Sequence, residues 1–111
     1  MEMTTEELAG EITKVTLAGS LDIAGAAQID MKMNLVAGAS KKVLVDLEKV
    51  TFIGSMGLRT LIMPARAVRS KGGKIAVFGP NALVSEILRT SGLDTVMPVY
   101  HDYQAALDGL Q

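Results

Sequence analysis

The sequence predicts an α/β fold: a mixed β-sheet with helices packed on it, in the order β-β-α-β-α-β-α-β-α. Three observations predict it. Short β-branched runs of strand length alternate with longer segments whose apolar residues recur at helical spacing. Gly or Pro stands at nearly every boundary between them. Repeated strand-helix alternation also requires crossovers, and these place the strands parallel in one sheet. The 111 residues show no linker, repeat or low-complexity stretch, so the reading is one domain over 1–111.

Taken in order, Ile12, Val15, Leu17 and Leu21 with Thr13, Thr16 and Ser20 between them predict a strand from Ile12 to Leu21, bounded by Gly10 and Gly19. The preceding Glu2 to Leu8 segment can pair with it as a hairpin through Ala9 and Gly10. Ala26, Ile29, Met33 and Val36 fall on one helical face, predicting a helix over 24–37 with Gly38 as its C-cap. Val43 to Leu47 is apolar on both faces except at Asp46, as a central strand should be. Leu58, Leu61, Ile62, Ala65 and Val68 then make an amphipathic stripe that starts near Gly57 and ends near Gly72-Gly73. Pro64 lies inside that stripe and cannot donate to the carbonyl of Thr60, so a kink is expected. Lys74 to Phe78 is a strand closed by Gly79-Pro80. Asn81 is placed to cap a helix carrying Leu83, Val84, Ile87 and Leu88, which Ser91-Gly92 stops. Val96 to Tyr100 is the last strand, and Asp102 caps a terminal helix with Ala106, Leu107 and Leu110 inward. With four aromatic residues in the chain, the core must be aliphatic, and the seven Met residues read as packing material.

The charge balance narrows the function. Eleven Lys and Arg against 12 Asp and Glu give a formal net charge of -1, with no basic cluster, which argues against direct nucleic-acid binding. No Cys and one His remove disulfides, thiolate nucleophiles, Cys-ligated zinc and His-rich metal sites, and no cofactor is expected. The amino terminus is acidic and polar, and no apolar run approaches the roughly 18 to 20 residues of a membrane span. A cytoplasmic protein without membrane insertion is the expectation.

Chemical equipment is sparse. Gly54-Ser55-Met56-Gly57 lacks the Gly two residues before the Ser that a nucleophile elbow needs, since Ile53 stands there. His101 is the only imidazole that could serve Ser55 as a base, and a solvent-facing loop residue is the alternative reading for it. Gly72-Gly73-Lys74 and Gly79-Pro80-Asn81 fit neither phosphate-cradling loop. Asp22, Asp46 and Glu48 sit near strand ends and read as surface or capping carboxylates. No catalytic residue is therefore assigned. Ser55 remains, in a Gly-flanked turn between a strand and a helix, either as an N-cap or as a hydroxyl exposed beside free backbone N–H groups. A phosphate there would add about -1.5 to -2 charges near the positive end of a helix.

The run from Val43 to Leu61, with Asp46-Leu47, Val50-Thr51-Phe52-Ile53, Ser55 and Gly57-Leu58, resembles the signature of the STAS domain, specifically the single-domain bacterial anti-sigma-factor antagonists. Gly19-Ser20-Leu21-Asp22, Gly72-Gly73 and Ser91-Gly92-Leu93 resemble further steps of that family, so the likeness spans nearly the whole chain. It implies the STAS fold and a partner switch. In such a switch a GHKL-type serine kinase, itself the anti-sigma factor, phosphorylates the Ser matching Ser55, the unmodified antagonist binds that kinase and frees the sigma factor, and a PP2C-type phosphatase reverses the modification. By the same resemblance Asp22, Gly54, Ser55, Met56, Gly57 and Arg59 belong to the partner surface. Many members carry Asp before the Ser and Ser or Thr after it, where this chain has Gly54 and Met56. Other STAS domains are unmodified interaction modules, as signalling scaffolds or lipid-transporter accessory subunits. A small hydrolase using Ser55 and His101 is the third reading, from a different class.

Overall fold

The computed structural model describes residues 1–111. Its elements are β1 (Glu2–Leu8), β2 (Ile12–Leu21), α1 (Ile23–Ala39), β3 (Lys42–Ile53), α2 (Ser55–Ser70), β4 (Lys74–Phe78), α3 (Ala82–Thr90), β5 (Val99–Tyr100) and α4 (Tyr103–Gly109), with a 3-10 turn at Leu93–Thr95. The five strands lie in one sheet in chain order, β1 antiparallel to β2 and every later pair parallel. That order has a consequence for the layers. Crossovers of a single hand that always step the same way put their helices on the same face of the sheet. The buried residues of α1, α2 and α3 accordingly join Val15, Leu17, Val43, Val45, Leu47, Ile75 and Val77 in one core of 20 residues. The opposite face carries the intervening residues Ile12, Leu44, Ala76 and Phe78, and α4, which makes no crossover, covers it with Ala106 and Leu110. Each aliphatic side chain so buried contributes about 1.5–3 kcal/mol against its exposure.

Asp46 is the one carboxylate inside the sheet. It faces α4, where Lys14 Nζ lies 3.6 Å from its Oδ2 and also 5.0 Å from the centre of the Tyr103 ring. Its Oδ1 accepts from the N–H of Glu48 at 2.9 Å, and this bond shapes β3. Between Asp46 and Phe52, β3 uses two more residues than β2 does, since Thr16 pairs with Asp46, Ala18 with Lys49, Gly19 with Val50 and Ser20 with Phe52. Such bulges leave backbone groups to be satisfied by side chains. Thr51 Oγ1 donates to Gly19 O at 3.4 Å and Asn81 Nδ2 donates to Val50 O at 3.2 Å. The irregular end of β3 is thereby tied to β2 on one side and to α3 on the other.

The element order matches the sequence reading, and several boundaries differ. The first helix continues through Gly38 and is closed by Ser40, whose N–H donates to Val36 O. The second helix starts two residues before Gly57, and it runs without interruption through Pro64, which is buried. β3 extends past Leu47 to Ile53, because the bulges let exposed Glu48, Lys49, Thr51 and Phe52 remain in the ladder. The last strand keeps only Val99 and Tyr100, since Leu93–Thr95 forms a 3-10 turn. Met33 and Met97 are core residues and Met1 and Met3 pack at its margin, but Met31, Met56 and Met63 are exposed and are not packing material.

Asn81 caps α3 by accepting from Val84 N–H at 2.8 Å as well as holding β3. Asn81→Ala loses both bonds, and urea unfolding should show a loss of about 1–2 kcal/mol; a loss below a few tenths would mean the tie to β3 carries no weight.

Candidate functional site

The site is built on two consecutive carbonyls at the end of β2. Ser20 O faces α1: a Cβ added at Gly25 would lie 2.2 Å from it. Leu21 O faces α2, where a Cβ added at Gly57 would lie 2.3 Å from it and 2.7 Å from the Leu21 Cγ. Real side chains do not approach so closely, so each glycine lets a helix backbone rest directly on the strand end. Leu21 O also accepts from Gly54 N–H at 3.0 Å, which fixes the turn that leaves β3. Both helices thus begin side by side at the carboxyl end of the parallel strands, a place where α/β proteins build sites.

Asp22 is the N-cap of α1, its Oδ1 accepting from Gly25 N–H at 2.8 Å. Gly54 is the N-cap of α2 and offers no side chain to it. Ser55 is therefore the first helical residue, not the cap. Its hydroxyl is exposed and engages no hydrogen bond in the structure, and the N–H groups of Ser55, Met56 and Gly57 precede the first intrahelical bond, which runs from Leu58 N to Gly54 O at 3.0 Å. Unlike Gly57, Gly54 is not required by space. A Cβ there meets its nearest neighbour, Phe52 Cε2, at 3.4 Å, and φ is -95°.

Beside Ser55 a groove of about 570 Å³ runs between α1 and α2. Its floor is Ala26 and Thr60, and its rim is Ile23 from α1 with Met56 and Met63 from α2, which are 75%, 43% and 52% exposed. Asp30 stands on the α1 wall and Arg59 on the α2 wall, without an ion pair between them. Phe52, 43% exposed, lies at the end of β3 on the approach to Ser55.

Of the six residues expected at a partner surface, the structure brings Asp22, Gly54, Ser55, Met56 and Arg59 to the surface of this one corner, while Gly57 lies beneath it and seats α2 on Leu21. Asp46 and Glu48 are not part of it: Asp46 is buried under α4 and Glu48 is exposed on the bulge of β3. His101 is exposed after β5, which is two strands away from β3, and makes no hydrogen bond with Ser55. Sequence reasoning missed Ile23, Phe52, Thr60 and Met63. A signal for Ile23 was present, because α1 is apolar on its outer side as well, at Ile23, Met31 and Leu35.

With this geometry in hand, comparison with known proteins is decisive at the level of family. The family model described as "Mlab, STAS domain" matches residues 4–99. The chain belongs to the STAS domain family. Among its relatives, an anti-sigma F factor antagonist of Paenibacillus polymyxa is 29% identical over 99 residues, which cover 87% of this chain and 85% of that protein. Two solved structures share the fold. An anti-sigma factor antagonist from Mycobacterium paratuberculosis superposes with a TM-score of 0.83 at 24% identity, over 98% of this chain and 94% of that one. The Bacillus cell fate determinant SpoIIAA in its phosphorylated form does so at 0.74 and 21% identity, over 99% and 100%.

The two glycines of this STAS turn make opposite predictions. Gly57→Ala should lower stability by about 1–3 kcal/mol through overpacking, against the gain of about 1 kcal/mol that helix propensity alone would give. Gly54→Asp should add a few tenths of a kcal/mol by supplying the missing cap. Chemical denaturation of both variants checks this, and a stabilised Gly57→Ala would show that α2 is not held on Leu21.

Proposed function

We propose that this STAS chain is a cytoplasmic anti-sigma-factor antagonist whose unmodified form binds an anti-sigma factor that is also a GHKL-type serine kinase. Binding frees the sigma factor. Phosphorylation of Ser55 switches the interaction off, and a PP2C-type phosphatase restores it. The observation that carries this reading is Ser55 itself, an exposed residue at the start of α2 whose hydroxyl makes no hydrogen bond, next in sequence to Met56 on the α1–α2 groove. The name of the Paenibacillus relative supports the same direction, as does the existence of a phosphorylated form of SpoIIAA.

The energetics are within reach of one phosphate. A hundredfold to thousandfold switch needs about 3–4 kcal/mol of differential interaction. A dianion enclosed at an interface supplies that much by desolvation and repulsion. Ser55 stands between Phe52 at the end of β3 and Met56 on the groove, both exposed apolar side chains, and a partner that covers these two would enclose a phosphate on Ser55. No helix is long and apolar enough to cross a membrane, and the switch needs only a partner protein.

The departures at Gly54 and Met56 favour a second reading, an unmodified STAS interaction module. Titration calorimetry against the anti-sigma factor kinase that this reading assigns as its partner separates the two. Ser55→Ala should bind within about threefold of wild type, and Ser55→Asp at least about tenfold more weakly. Equal binding by Ser55→Asp, or no phosphate on Ser55 after incubation with that kinase and ATP, would exclude the switch and leave the module.

A further inference from the structure

We infer that Arg59 is the internal counterion of a phosphate on Ser55, and that pairing with it withdraws the guanidinium from the α1–α2 groove. The inference rests on the proposed phosphorylation of Ser55. Ser55 and Arg59 stand four residues apart in α2, so their Cβ atoms lie about 5–6 Å apart along one face of the helix. Both are exposed. A guanidinium on its three-carbon stem spans that gap and presents a planar fork matched to phosphate oxygens.

Arg59 is free to do so. The molecule has two ion pairs, Lys14 with Asp46 and Arg89 with Glu86, and Arg59 is in neither. Arg69 is engaged with the carbonyls of Thr95 and Val96 at 3.4 Å. Arg66 is also exposed, but it lies 11 residues from Ser55, about 16 Å along the helix, and out of reach. The other charges near Ser55 are carboxylates on α1: Asp22, whose Oδ1 is held by Gly25 N–H, and Asp30 on the far wall of the groove. On β3 the nearest cation is Lys49, six residues back along the strand. Arg59 is thus the one cation able to meet the phosphate, and a charge of about -1.5 to -2 competes for it better than the single charge of Asp30.

The consequence is a switch with two parts. Phosphate adds negative charge at the rim, and the groove loses its only positive side chain while Asp30 stays. An acidic group of the partner that would dock on Arg59 meets a guanidinium already satisfied. The phosphate and the partner compete for the same side chain.

Phosphoserine placed at position 55 during translation tests the pairing without any kinase. Its phosphorus resonance is titrated from pH 4 to 8 in otherwise wild-type protein, in Arg59→Gln and in Arg59→Lys, with circular dichroism confirming the fold. A counterion stabilises the dianion, so the second pKa should lie below the ordinary value of about 6. Arg59→Gln should raise it by about 0.3 unit and Arg59→Lys by less. Equal titration, within about 0.1 unit, of Arg59→Gln and the parent overturns the inference. Incubation with the kinase and ATP decides separately whether Ser55 is modified, so failure of one is not failure of the other.

Discussion

Two helix backbones resting on neighbouring carbonyls of one strand end is the contact on which the rest of this molecule depends. Ser20 O meets Gly25 and Leu21 O meets Gly57 at distances that admit no side chain. Leu21 O also holds Gly54 N–H, so the same atom that seats α2 fixes the turn leading into it. Everything at the candidate site inherits its position from these contacts. The α1–α2 groove exists because two helices start side by side, and Ser55 is exposed because its turn is pinned from beneath rather than capped from above.

The sheet makes that arrangement possible. Strands added in chain order place the crossover helices on one face, and β3 reaches the strand end only through two extra residues, held by Asp46, Thr51 and Asn81. A bulged strand bends and re-aims the chain beyond it. Beyond β3 that chain is Gly54-Ser55, so the polar side chains along the strand serve the site although none of them belongs to its surface. A switch by added charge fits such a frame. The turn is already formed, its first N–H groups are open, and modification need not move the backbone to change what a partner meets.

Much of this is legible in the sequence, for reasons that differ by element. Lys74–Phe78 and Ala82–Thr90 can be bounded correctly because Gly79-Pro80, Asn81 and Gly92 act locally, through their own dihedral preferences and capping bonds. β3 reads as the short apolar run Val43 to Leu47 although it has 12 residues, since Glu48, Lys49 and Thr51 look like a loop unless the bulges are known, and bulges depend on what β2 and α3 supply. Ser55 stands out correctly as an exposed hydroxyl on a strand-turn-helix step, but the cap falls to Gly54, a residue with nothing to cap with. The groove is not legible. It depends on α1 lying against α2, and although the excess of apolar residues in α1 hints at Ile23, only that packing sets it across from Met63.

The central claim is that the Ser55 turn is preformed, so that a phosphate would change charge and leave the fold intact. Amide spectra of the unmodified chain and of the chain carrying phosphoserine at position 55, recorded with hydrogen exchange, test it most directly. The account predicts a Gly54 amide protected in both forms, with shift changes confined to residues 54–60 and the facing groove wall of α1. Loss of Gly54 protection, or changes spreading through β2 and the body of α1, would contradict it.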